Sequence, residues 1–138
     1  MSGERDLKVL LRSMEPVLHE PVYVFAPVPR TNVLPLELRP VMVFREAEGT
    51  TLILEREQAE AAGLAGTFPC RMITLNVHSA LDAVGFLAAI TARLAREGIG
   101  ANAVSAFYHD HLFVLCDRAE DALRALHDLA AGGLPTSS

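Results

Sequence analysis

Between residues 72 and 78 apolar and polar side chains alternate. Ile73, Leu75 and Val77 fall on one face and Thr74, Asn76 and His78 on the other, the period of a half-buried strand. The period then changes to that of a helix. Ser79-Ala-Leu-Asp82 has capping-box spacing, with Asp in place of the usual Glu, and Val84, Leu87, Ile90 and Leu94 recur at helical intervals up to Gly98. Two strand-like runs follow at 102–108 and 112–116. Asp117 with Glu120 is then expected to cap a last helix carrying Ala119, Ala122, Leu123, Leu126 and Ala130 on one face, and from Gly132 the chain reads as a polar tail.

The first half has a related pattern. Leu7, Leu10, Leu11 and Met14 mark a short helix closed by Pro16, and residues 22–25 and 41–44 read as strands separated by a proline-punctuated loop at 27–40. Glu48-Gly49-Thr50 turns the chain into a strand at 51–54, and residues 55–62 form a helix ended by Gly63. Laid side by side, PVMVFREAEGTTLILEREQAEAA and NAVSAFYHDHLFVLCDRAEDAL are both strand, tight turn, strand, helix, a weak internal repeat. Gly66 and Pro69 interrupt regular structure, so residues 65–69 are the expected linker and the halves are 1–66 and 67–138.

Composition narrows the classes. A chain of 138 residues, 51% of them hydrophobic, buries a core without staples. A net charge of −5, with the 12 Lys and Arg scattered among acidic neighbours, argues against nucleic acid as a partner. No apolar run approaches the ~18 residues of a membrane span, and MSGERDLK lacks the apolar stretch of a secretory signal, so no membrane partner and a cytoplasmic location are expected. Cys70 and Cys116 sit inside apolar runs without Cys-x-x-Cys spacing and read as small buried hydrophobes.

A strand, a capped helix ending in Gly-Ile, a hairpin and a further helix is the order of a ferredoxin-like unit. Leu81-Asp-Ala-Val-Gly85-Phe-Leu, then Leu94-Ala-Arg-Glu-Gly-Ile99 and Asn102-Ala-Val-Ser-Ala, resembles the ACT domain, the small regulatory module that binds amino acids. Asp82, Gly85, Gly98 and Ile99 fit that family's pattern, while Val84 stands where proline is common. VHSALDAVG with FYHDHLFV, and DLKVLLRSMEPVL with the YVF strand, resemble bacterial proteins built from two ACT-like halves in one chain. The resemblance implies an α+β fold of two ferredoxin-like halves, antiparallel sheets with helices on one face. It also implies a stand-alone regulatory module without catalytic activity or cofactor, sensing a small-molecule effector, an amino acid by expectation, with a homodimer as the expected assembly. The alternative is an unliganded interaction scaffold that regulates a partner by association. Effector is expected where the strand runs into the helix, at Asn76, His78, Ser79, Asp82, Val84 and Gly85. Free N–H groups at a helix N-terminus suit a carboxylate, Gly85 permits close approach, and Asp82 is placed to receive an ammonium unless it serves as a cap.

The remaining ionisable residues carry less. His78 adjoins the expected pocket and is the first choice among the histidines for an effector contact. In His109-Asp110-His111, the simplest hairpin register pairs Tyr108 with His111 across a two-residue turn of His109 and Asp110, residue types that tolerate positive φ. The turn breaks the alternation that would put His109 and His111 on one face, so no metal is expected. His19 and His127 read as solvated. The sequence holds no Gly-x-Ser-x-Gly, His-Glu-x-x-His, phosphate loop or dinucleotide fingerprint, and the Glu-rich stretch 46–60 reads as a solvated surface.

Overall fold

Asp6 opens the first helix by accepting the backbone N–H groups of Lys8 and Val9 at 3.0 and 3.2 Å, and α1 (Leu7–Ser13) follows. The computed structural model describes residues 3–132. After α1 come β1 (Glu15–Val28), β2 (Met42–Arg45), β3 (Thr50–Glu55), α2 (Arg56–Ala61), β4 (Thr67–Asn76), α3 (Phe86–Arg96), β5 (Asn102–Ser105), β6 (Asp110–Leu115), a 3-10 turn (Cys116–Arg118) and α4 (Ala119–Ala130).

Two compact units form, and they do not follow chain order. Residues up to 19 join those from 72 onward in a larger unit, and Glu20–Arg71 make a smaller one. The expected halves, 1–66 and 67–138, differ from this grouping because α1 packs with the later residues: Leu10 and Met14 are buried in the same cluster as Ile73, Ile90 and Leu126. Gly66 and Pro69 make no linker, since β4 begins at Thr67 and runs through Pro69. Beside that proline Phe68 has φ +58, the sole positive value among the described non-glycine residues.

In the larger unit the strand order is β1-β4-β6-β5. Ile73 and Leu75 of β4 and Leu112 and Val114 of β6 turn one sheet face into the apolar cluster built with Leu10, Phe86, Ile90, Leu94, Ala122 and Leu126 of the three helices. Removing that much apolar area from water at ~25 cal/mol per Å2 is the main force holding the layers together. By strand alternation Thr74 and His111 look out of the opposite face.

Two details differ from the sequence expectation. Helix α3 starts at Phe86, with Gly85 as its N-cap at φ +92, so Ser79 and Asp82 make no capping box. The cause lies in the N-terminal residues: Glu4 bridges Ser79, with Glu4 N–H donating to the His78 carbonyl and Ala80 N–H to the Glu4 carbonyl, both at 2.8 Å. Residues 77–85 are thereby held as a loop. In the second hairpin, Val104 pairs with His111 and Ser105 with Asp110. Ala106 N–H donates to the His109 carbonyl at 3.0 Å, so Phe107 and Tyr108 form the tip, without positive φ. His109 and Asp110 are not the turn.

The smaller unit has the order β2-β3-β1-β4. Leu52 and Leu54 of β3 cluster with Val24, Ala26 and Val28 of β1 and Ala59 of α2. In place of a helix between β1 and β2, the proline-punctuated loop contributes Leu34 and Leu38 against this cluster.

Candidate functional site

The loop at 77–85, the start of α3 and the base of the β5–β6 hairpin border a partly open cavity of about 230 Å3 in the larger unit. Its walls come from Ser79, Ala80, Leu81 and Ala83 of the loop, Phe86 and Leu87 of α3, and Ser105, Ala106 and Asp110 of the hairpin. Ala80, Phe86 and Asp110 are buried. Gly85 gives α3 no side-chain cap, which leaves the first N–H groups of an eleven-residue helix available beside this space. The smaller unit has a wider depression, about 380 Å3, lined by Glu20, Pro21, Val22, Glu55, Arg56 and Glu57. None of those residues is buried, so that hollow is solvent over a charged surface, and the smaller cavity is the better candidate.

Of the expected site residues, Ser79 lines the cavity. Asp82 and Gly85 belong to the same loop, but the Asp82 carboxylate is engaged by Arg5, whose Nε lies 2.9 Å from Oδ1. That hydrogen bond holds the Asp82 carboxyl below the usual carboxylate range. Val84 is 84% exposed and Asn76, at the end of β4, is exposed too. The His78 ring lies 5.8 Å from both Phe107 and Tyr108 at the hairpin tip, in an aromatic group outside the cavity lining.

Sequence reasoning did not anticipate Asp110 as a lining residue, nor the role of His19. His19 is in β1, and its Nε2 sits 2.8 Å from Thr74 Oγ1, which sits 2.9 Å from His111 Nδ1. A hydroxyl has one proton, so Thr74 donates to at most one ring and accepts from the other. Burial pushes the His111 imidazole below its ordinary value, with His109 and His19 adding to the effect and Asp110 opposing it. His109 Nδ1 lies 3.3 Å from the Val77 carbonyl. Among the described residues no group of three or more His, Cys, Asp or Glu is placed to hold a metal ion, and no helix is long and apolar enough to cross a membrane.

The fold has counterparts of known structure. A protein of unknown function from Vibrio cholerae, described as a possible transport protein, aligns at 46% identity and a TM-score of 0.81, over 94% of this chain and 99% of that one. An Agrobacterium tumefaciens protein aligns at 18% identity and 0.73, over 85% and 89%. The ligand-free regulatory subunit of aspartate kinase from Thermus thermophilus aligns at 11% and 0.63, over 83% and 95%. The last two show the fold alone, an α+β arrangement of the ferredoxin-like kind. No curated protein matches in sequence. Models of the ACT domain match residues 2–71 and, in tandem, 67–128. The chain therefore belongs to the ACT domain family.

Proposed function

We propose that the protein is a small-ligand-binding regulatory module whose effector is an amino acid, bound in the cavity beside α3, and that it acts without catalysis of its own on a separate target. The single observation carrying this reading is the cavity itself: a partly open space of about 230 Å3 with apolar and polar side chains mixed in its wall and an uncapped helix start. Such a combination fits a small zwitterion, its carboxylate on the helix N–H groups and its side chain on the apolar wall. Solved relatives that include regulatory subunits of aspartate kinase support a regulatory role. Ser79 is the expected residue that enters the cavity wall, and Asp82 and Gly85 shape the loop that carries it.

The homodimer belongs to the same proposal. Strand β2 is an edge strand with Val43 54% and Phe44 61% exposed, the kind of edge that pairs with a second copy.

Thermal denaturation in the presence of each of the twenty common amino acids tests the function. At least one raises the melting temperature in a dose-dependent way, since a ligand at a hundred times its Kd adds about 2.7 kcal/mol. A flat response across all twenty overturns the amino-acid reading.

A further inference from the structure

Among the described residues the cavity has one charged lining residue, Asp110, and no side chain neutralises it. Asp110 is 8% exposed. It opens β6 opposite Ser105 and shares the sheet face of Leu112 and Val114, the face covered by helices. Among the described residues none donates a hydrogen bond to its carboxylate or forms an ion pair with it. The neighbouring imidazole of His111 senses its charge but projects from the opposite face of the strand. No side-chain oxygen of the described residues is both fully buried and unpartnered, so the Asp110 carboxylate keeps some accessible surface, and the residue lines the cavity. An accessible carboxylate with no protein donor of its own is free to accept charge-assisted hydrogen bonds from a cationic ligand.

We propose that Asp110 is the anchor for the ammonium group of a small aliphatic ligand in this cavity, a proposal that rests on the ligand-binding reading above and names the chemistry of its effector. The hydroxyls of Ser79 and Ser105 supply further hydrogen bonds, and Ala80, Leu81, Phe86 and Leu87 meet the aliphatic part. A volume of about 230 Å3 lies below the ~300 Å3 at which drug-sized sites begin, which limits the ligand to a handful of heavy atoms. With Asp110 the sole charged residue in the wall among the described residues, a ligand carrying a second carboxylate is repelled. Small neutral amino acids are selected over aspartate and glutamate.

Calorimetric titration separates this proposal from the broader one. The probes are L-alanine, L-valine and L-leucine, then ethylamine, isobutylamine and isopentylamine, which keep the ammonium and lack the carboxylate. Propionate, isovalerate and isocaproate keep the carboxylate and lack the ammonium. At least one of the amino acids binds, its deaminated counterpart does not, and Asp110→Asn weakens binding by about tenfold or more, the loss of one charge-assisted hydrogen bond. Amines that bind while amino acids fail sustain Asp110 as the anchor and overturn the amino-acid reading. A carboxylate that binds as tightly as its amino acid, or an Asp110→Asn variant of unchanged affinity, overturns the anchor and leaves the amino-acid reading standing. No binding by any probe overturns the anchor for small aliphatic ligands, and the amino-acid reading falls with it when the thermal response to all twenty is flat as well. The comparison of probes on the wild-type chain decides the question even if Asp110→Asn does not fold.

Discussion

The hairpins β2–β3 and β5–β6 have the same register, Arg45 pairing with Thr50 as Ser105 pairs with Asp110. Leu52 and Leu54 of the first stand where Leu112 and Val114 of the second do, and each pair is buried in the core of its own unit. What differs is the second layer. In the larger unit α3 covers the sheet and leaves a cavity against Asp110, whereas in the smaller unit a proline-punctuated loop contributes Leu34 and Leu38, and Thr50 takes the place of Asp110. One strand pattern thus supports two different coverings, and a helix with an uncapped start beside a buried carboxylate occurs in one of them. The difference teaches that the repeat conserves the layer that makes the core, while ligand chemistry is carried by the segment joining strand to hairpin.

The largest expected effect tests the shared layer. Leu112→Ala and Leu52→Ala each cost about 2–5 kcal/mol in urea unfolding, whereas Val33→Ala in the exposed loop between β1 and β2 stays within ~0.5 kcal/mol. Equal losses at all three positions break the comparison. Gly85→Ala comes next. An added Cβ meets only Leu7 Cδ2, at 3.6 Å, so the cost is that of a left-handed backbone, about 1–2 kcal/mol. A loss near zero in urea unfolding would mean that this loop relaxes freely.

The pH dependence is smaller and has a definite sign. Burial lowers the folded-state pKa of His111 below its ordinary 6.5, so the unfolded chain binds more protons. The stabilising contribution is complete above pH ~6.5 and is lost as pH falls through the folded value. His111→Asn, which keeps a polar atom near Nδ1, flattens the urea midpoint between pH 7 and the acid limb; an unchanged slope contradicts the assignment. The smallest effect is at the exposed Arg5–Asp82 pair. Arg5→Ala returns the Asp82 carboxyl upward toward its ordinary range in an NMR titration and leaves the midpoint almost unchanged.

Much of the core was legible in the sequence because periodicity reports burial directly. Ile73, Leu75, Leu87, Ile90, Leu94, Ala122 and Leu126 were all placed by alternation or helical spacing, and they form or flank the apolar cluster. The start of α3 was not, because Ser79 has a partner in Glu4 that no local pattern displays. Asp110 was missed for a different reason. Its residue type suits a turn, and that local preference put the expected tip two residues too far along the chain, so His111, expected opposite Tyr108, pairs with Val104. The internal repeat held the correction. Matching the second hairpin to the first, with Ala47 and Glu48 between Glu46 and Gly49, puts Phe107 and Tyr108 at the tip and Asp110 on the face of Leu112. Counting back by two from Val114 gives the same answer. The His19–Thr74–His111 chain joins three strands, and strand pairing at that range leaves no mark in a single sequence.

The comparison between the two coverings is tested most directly by following backbone amide resonances during titration with the amino acid that gives the largest thermal shift. The shifts are expected to concentrate at residues 79–87 and 105–110, with none at 20–22 and 55–57. Shifts centred on the smaller unit, or spread evenly over both, would contradict the assignment of ligand chemistry to the helix-covered repeat.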